Sequence, residues 1–263
     1  MIKVSEIEVK NLISKSKIPS IDFAINPYVG CPHKCIYCYA EFMGKFHKEK
    51  WGNFLDVKIC TKAINIEKFK NNTVFLSSVT DAYNPFEAKY GITKQVLEQF
   101  IASQVKVEIL TKSNLVTRDV KILKQIPNIS VGFSINTTDD VVRKQIEPYA
   151  SSVQKRIDAL KILHNEGINT WVFISPIFPK ITDFKNIVDI CRTYAYSFGF
   201  ENLNLKNSYH MRVLNYIRIH HQNLLPLYQE IYVRNNKDYW QQTACEIHSY
   251  CQEIGIDYSI HFH

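Results

Sequence analysis

No stretch of this chain is apolar for long enough to span a bilayer. The longest run, "TWVFISPIFP" at 170–179, falls well short of the roughly 20 residues needed. The N-terminus, "MIKVSEIEVKNLISKSK", is charged and lacks the apolar segment of a secretion signal. Neither secretion nor membrane insertion is indicated. There is no linker rich in proline, glycine and serine and no visible repeat, so the 263 residues, 46% of them hydrophobic, are expected to form one domain, 1–263, around one sizeable core. A paired disulfide framework is missing too. Seven cysteines is an odd number, and without extracellular context it points to a reducing cytoplasm and to thiols free to bind metal. Nor does charge of one sign dominate. The net +7, mostly from lysine, is compatible with an anionic partner such as nucleic acid without indicating one.

What is present is an alternation of β-rich apolar runs with segments of helical period. Strands are expected at 22–26, 73–79, 105–112, 129–136, 169–177 and 202–206. Between them lie "TKQVLEQFIASQ", "VTRDVKILKQI", "VQKRIDALKILHNEG" and "FKNIVDICRTYAYSFG", with Gly167 and Gly199 expected near helix ends. Six β/α units in series call for an α/β fold, a partial (β/α)6 TIM-type barrel with a parallel sheet inside and helices outside. Chemistry in such folds gathers at the C-terminal ends of the strands. The barrel core is expected over about 20–207, and 208–263 as a mainly helical C-terminal extension.

Directly after the first strand comes "NPYVGCPHKCIYCYAEFM", which places Cys31, Cys35 and Cys38 within eight positions. A zinc site normally takes a fourth ligand, and an i, i+4, i+7 spacing is not the usual paired knuckle. Three thiolates on a cubane iron–sulfur cluster make different sense, because they hold three irons and leave the fourth open. Zinc and a purely structural cluster remain the alternatives at this point.

The C-x3-C-x2-C spacing, with aromatic Tyr37 before the last cysteine, resembles the cluster motif of the radical S-adenosylmethionine (SAM) superfamily. "NPYVGCPHKCIYCYA", "SSVTDAYNPFE", "LTKSNLVTRD", "SVGFSIN" and "ISPIFPKITD" together resemble its spore photoproduct lyase-like branch. "WGNFLDVK", "ENLNLKNSY" and "PLYQEIYVR" most resemble radical SAM mobile pair protein B, members of which are encoded beside a second radical enzyme. The resemblance implies that Cys31, Cys35 and Cys38 ligate a [4Fe-4S] cluster whose open iron takes the amino and carboxylate groups of S-adenosylmethionine. One electron, from a donor such as flavodoxin or ferredoxin, then cleaves the sulfonium and yields a 5'-deoxyadenosyl radical that abstracts hydrogen from substrate. It further implies a paired second radical SAM protein as partner. Tyr37 is expected against the adenosyl part, and Tyr39 as a hydrogen-transfer or substrate contact, ordinary aromatic packing being its alternative. Ser78, Thr80 and Asp81 at the second strand's end, Lys112 at the third's and Ser134 at the fourth's match the branch's polar cofactor contacts. Arg156, on the next helix, is expected to reach the cofactor carboxylate. A strand-end serine that only satisfies a turn, and a solvated helical arginine, are the plainer readings.

One position departs from the branch. Ser78 aligns where true spore photoproduct lyases carry the cysteine that returns a hydrogen atom, and a serine O–H bond is too strong for that role. Repair of the spore lesion is therefore not expected, unless a tyrosine or the cofactor replaces the thiol. After the cluster motif, "GKFHKEKWGNF" interleaves Lys45, His47, Lys48 and Lys50 with Phe46, Trp51 and Phe54, a composition that suits bases and phosphates. "YHMRVLNYIRIHHQ" adds His210, Arg212, Arg218, His220 and His221. Nucleic acid or a nucleotide is thus the leading substrate class, against peptide or small molecule. Solvated helix faces explain the same residues. Cys245, His248 and Cys251, with His261 or His263, form a candidate second metal site, buried free thiols being the alternative. Cys60 and Cys191 read as core. The rival to an enzyme is a non-catalytic iron–sulfur protein that binds nucleic acid or its paired protein.

Overall fold

The computed structural model describes residues 2–205 and 209–263. Its strands are β1 (Lys3–Glu8), β2 (Ile13–Lys15), β3 (Phe23–Ile25), β4 (Tyr28–Val29), β5 (Phe54–Ile59), β6 (Thr73–Leu76), β7 (Lys106–Thr111), β8 (Ile129–Ser134), β9 (Asn169–Ile177), β10 (Ser197–Asn202) and β11 (Asp257–Ile260). The large sheet runs β11-β10-β9-β8-β7-β6-β3-β2. From β3 to β11 every neighbouring pair is parallel, and β2 lies antiparallel on β3 at the edge. This is a partial (β/α)6 barrel, with β11 extending it at one side.

The sequence explains why the middle strands sit deepest. β8, "ISVGFS", is buried at every position, as expected of a parallel strand covered by helices on one face and barrel interior on the other. The helix Val153–Asn165 shows how the cover is built. Ser152 caps it by accepting from the Lys155 amide at 3.3 Å, Gly167 follows it at φ +77°, and Val153, Arg156, Ile157, Leu160 and Leu163 face inward. A second sheet, β1-β5-β4, stands apart from the barrel over its own small core of Tyr28, Leu55, Val57 and Ile92. It lies beside the start of the cysteine stretch, because β4 leads directly into it.

Two expectations need correction. The sixth barrel strand is Ser197–Asn202, not 202–206, and Lys206 and the 207/208 boundary lie outside the described residues. Gly199 is in the middle of that strand, not at a helix end. The helix before it stops at Cys191, and a Cβ on Gly199 would come within 2.6 Å of the Phe173 ring on β9. The C-terminal region is helical over His210–His220, Leu225–Tyr232 and Asp238–Ile254, but ends in β11, which joins the barrel sheet. Among the described residues no helix is long and apolar enough to cross a membrane.

Gly132 on β8 faces its register partner Trp171 on β9, where a Cβ would sit 2.3 Å from the indole. Gly132→Ala is expected to destabilise the protein by about 1–3 kcal/mol through overpacking. The measurement is the denaturant midpoint at constant m-value; an unmoved midpoint would mean the indole shifts freely.

Candidate active site

The chain leaves β3 at Ile25, passes β4 and enters the cysteine loop at Gly30. A glycine is needed there: φ is +89°, and a Cβ would lie 2.4 Å from the carbonyl oxygen of Phe54. The loop folds as two successive turns, closed by Lys34 N to the Cys31 carbonyl (3.5 Å) and Cys38 N to the Cys35 carbonyl (3.2 Å), which gather the three cysteines. The surroundings hold it in place. Thr80 Oγ1 donates to the Gly30 carbonyl at 2.6 Å, Ile36 N to the Ile146 carbonyl at 3.0 Å, and Arg212 Nε to the Ile36 carbonyl at 3.2 Å.

All three cysteines are free and half-buried. Burial pushes the Cys35 thiol up to about 12, with the Glu147 charge adding to it. Burial likewise pushes Cys31 well above its ordinary value, its neighbours Cys35, Asp81 and Cys38 contributing. Bare thiols here resist ionisation, and a strongly Lewis-acidic iron centre supplies the positive charge they lack. Among the described residues no three His, Cys, Asp or Glu side chains converge on one metal ion. A cubane does not ask for convergence, because each cysteine takes its own iron. The donor set therefore fits a cluster.

Behind the loop lies a buried polar network. Glu147, fully buried, accepts the Tyr37 O–H, Arg156 Nη2 and Asn136 Nδ2 at 3.3 Å. Asn136 Nδ2 also donates to the Tyr37 oxygen at 3.2 Å. Both partners of Nδ2 are acceptors, which fixes the amide's orientation and leaves Oδ1 buried without a partner among the described residues. Lys112 lies 5.8 Å from the Tyr37 ring centroid. Burial would lower its ammonium, but Glu147 and Cys35 outweigh that and hold it above its ordinary value. Its Nζ makes no hydrogen bond among the described residues.

The other expected residues are present at the strand ends, engaged with the protein itself. Both oxygens of Asp81 are occupied, Oδ1 by Thr111 Oγ1 (2.7 Å) and the Tyr83 amide (2.9 Å), Oδ2 by the Lys112 amide (2.8 Å). Oδ2 also lies 3.4 Å from Nδ1 of buried His33. Ser134 Oγ donates to the Ser175 carbonyl at 3.1 Å. Ser78 Oγ accepts from Asn26 Nδ2 at 2.8 Å, and its carbonyl accepts the O–H of exposed Tyr39. Arg156 meets a carboxylate of the protein, Glu147, and donates further to the Ser151 and Ser134 carbonyls, each at 2.9 Å.

Two surface expectations change. Of the three aromatics expected on that surface, Phe46, Trp51 and Phe54, Phe46 is the exposed one, at 91%. Phe54 is buried with His47 stacked on it at 3.6 Å, and Trp51 packs edge-on against Phe54. Phe42 and Tyr39 join the exposed set instead. On the helix His210–His220, Arg212 pairs with Glu41 and Arg218 with Asn215, while His220 meets Gln145 and His221 meets Tyr216. At the C-terminus, Cys245 is exposed and Cys251 buried. His248 meets Tyr258, His261 meets Ser259 and His263 meets Glu201. They do not assemble a second metal site among the described residues.

A parallel half-barrel with three clustered thiols at the C-terminal end of its first strand defines a class, and comparison with known proteins agrees. The chain belongs to the radical SAM superfamily, whose pattern matches residues 25–192. An uncharacterized protein of Methanocaldococcus jannaschii is 39% identical over 208 residues, covering 79% of this chain and 80% of its own. A protein of Pseudomonas phage M6 named radical SAM Nalpha-GlyT isomerase is 26% identical over 164 residues, covering 61% of this chain and 34% of its own. Among solved structures, spore photoproduct lyase complexed with dinucleoside spore photoproduct superposes with a TM-score of 0.59 at 18% identity, covering 75% of this chain and 61% of that chain. Streptococcus suis SuiB bound to S-adenosylmethionine gives 0.56 at 14% identity, covering 91% and 49%. These two share the fold. The chain spans about three fifths of the length of the lyase chain (61%).

Burial alone would raise the Glu147 carboxyl, but Arg156 and Lys112 outweigh it and hold it below its ordinary value. Such a group adds stability that is complete above its unfolded pKa of about 4.3 and is lost as pH falls through the lower folded value. Glu147→Gln is expected to remove this acid dependence and, by leaving Arg156 without its countercharge, to cost about 3–5 kcal/mol near neutrality. Denaturant titrations of both proteins from pH 3 to 7 measure it; parallel stability–pH curves would show that Glu147 is not the group responsible.

Proposed function

We propose that Cys31, Cys35 and Cys38 hold a [4Fe-4S] cluster, that the chain binds S-adenosylmethionine beside it, and that it is an enzyme initiating radical chemistry on a nucleic-acid or nucleotide substrate. When bound, cluster and cofactor supply one-electron cleavage of the sulfonium and hydrogen abstraction from substrate. The observation that carries the reading is the meeting, at one end of a parallel sheet, of three thiols with the Lys112 ammonium and the buried acceptor Asn136 Oδ1, neither of which has a hydrogen-bond partner among the described residues. A zwitterionic cofactor needs that pairing: a cation for its carboxylate and an acceptor for its ammonium or a ribose hydroxyl. Tyr37 would lie against the adenosyl part, and Ser134, Ser78 and Thr80 would supply polar contacts to the cofactor. Asp81 and Arg156 act as positioning residues, their bonding atoms turned to the protein. A cluster serving only structure has no need of a cofactor cation or acceptor.

The electron donor is a small redox protein such as flavodoxin or ferredoxin, the setting a reducing cytoplasm, and the partner a second radical SAM protein. Barrel and C-terminal extension act as a single domain, a reading supported by the pairing of β11 with β10. Tyr39, whose hydroxyl reaches the Ser78 backbone, supplies the hydrogen-transfer group near a position where a serine cannot. Exposed Tyr39, Phe42 and Phe46 beside Lys45, Lys48 and Lys50 support the substrate class, because bases stack on aromatic faces and phosphates pair with ammonium groups.

Anaerobic reconstitution is expected to give brown protein with about four irons and four sulfides per chain, and alanine at Cys31, Cys35 or Cys38 to abolish the cubane signal. Colourless protein holding tetrahedral zinc would sink the assignment. With reductant, the loaded protein should release 5'-deoxyadenosine and methionine. Lys112→Ala should weaken S-adenosylmethionine binding by about 1.5–3 kcal/mol, the range for a charged hydrogen bond; unchanged affinity removes Lys112 from the cofactor site.

No efficient repair of spore-photoproduct DNA is expected, and multiple-turnover repair by the isolated chain would refute the reading of Ser78. Nucleic-acid binding should weaken with salt, and alanine at Lys45, Lys48 or Lys50 should reduce the slope by about one per lost phosphate contact. Salt-insensitive or absent binding, with cofactor loaded and the partner present, points instead to a peptide or small-molecule substrate.

A further inference from the structure

Trp51 is held on several sides by the segment that follows the cysteines. Its ring lies edge-on to Phe54 with centroids 5.8 Å apart and stands over Gly44, where a Cβ would be 3.5 Å from it. The residues after it are fastened to the cysteine loop. Lys34, which turns that loop between Cys31 and Cys35, donates to Asn53 Oδ1 at 2.6 Å. Its aliphatic chain crosses Gly52 so closely that a Cβ there would sit 2.6 Å from Lys34 Cγ. The indole Nε1 held in this way is buried and completes no hydrogen bond among the described residues. A buried indole N–H without an acceptor is unfavourable by about 1–3 kcal/mol and calls for an explanation. The acceptor on its side is the sulfur of Cys38. The Ala40 amide and the Trp51 indole are both presented to this sulfur as donors.

We propose that Trp51 is a positioning residue whose indole N–H donates to the Cys38 sulfur once that cysteine ligates iron, and that it thereby raises the reduction potential of the cluster. A neutral thiol is a weak acceptor, whereas an iron-bound thiolate carries the charge that completes the bond. Reduction adds negative charge to the cluster, so an N–H dipole aimed at one of its ligand sulfurs favours the reduced state. This rests on the cluster assignment made above.

The test is an EPR-monitored redox titration of the cluster-loaded protein and of Trp51→Phe, which keeps a ring and removes the N–H, with iron content measured in both. The variant is expected to hold about tenfold less reduced cluster at a given poise, about 59 mV for a one-electron couple. An unchanged potential at equal iron content overturns the inference. Should the variant fail to load, the native protein labelled with 15N-indole tryptophan decides it. One nitrogen is expected to show hyperfine coupling to the reduced cluster, and no coupling overturns the inference. Native protein that takes up no iron would overturn the cluster assignment and this inference together, whereas native loading with an unmoved potential in the variant overturns this inference alone.

Discussion

The charge on Glu147 is the constraint around which the site is arranged. A carboxylate with no access to water has to be surrounded by donors and countercharge, and each group that answers this need comes from a different part of the fold. Tyr37 comes from the cysteine loop, Asn136 from beyond β8, and Arg156 from the helix that covers β8. Lys112, at the end of β7, adds its field. Arg156 in turn reaches the Ser134 carbonyl at the C-terminus of β8. A single buried charge thus ties the loop that carries the thiols to the strand ends, and removing it loosens them together.

The three-stranded sheet provides the opposite wall. β4 delivers the chain to Gly30, and the Phe54 carbonyl on β5 lies where a side chain at Gly30 would be. Asn53, one residue earlier, receives Lys34. The cysteine loop is therefore gripped from the barrel through Tyr37, Thr80 and Ile36, and from the small sheet through Gly30 and Lys34. Two grips from different sheets leave the loop little freedom, which fixes the spacing of its three thiols.

Much of this was legible in the sequence, for reasons that differ from residue to residue. β3 and β6–β9 announced themselves because a parallel strand covered on both faces needs a continuous β-branched and aromatic run. β10 did not, since Gly199 reads locally as a helix stop while its actual cause is Phe173 on the neighbouring strand. The small sheet was invisible because its strands are short and half-exposed, with charges alternating through "KVSEIE". The cysteines were legible because three thiols within eight positions are a signal carried by the sequence itself. Glu147 and Asn136 were not, because their roles come from contact with Tyr37, about a hundred positions away in sequence. Trp51 was read as a surface aromatic among lysines, and nothing local indicates that its ring turns inward.

The polar groups around the thiols fall into two sets with different consequences. Asp81, Arg156, Thr80 and Ser134 have their hydrogen bonds directed into the protein, so they hold geometry whether or not a ligand is bound. Among the described residues, Asn136 Oδ1 and Trp51 Nε1 are buried without completed hydrogen bonds, and the Lys112 ammonium stands among charges without a hydrogen bond of its own. Each buried orphan carries a penalty of about 1–3 kcal/mol, a sizeable fraction of the total stability of a domain. A fold that keeps two of them beside three thiols that resist ionisation is less stable than its packing alone would allow. That deficit is what a bound group relieves when it engages them. The same residues would therefore favour a group that offers a donor to Asn136 and a carboxylate to Lys112 and that leaves charge on the Cys38 sulfur facing Trp51. Stability measured with and without that group is linked to the same contacts that bind it.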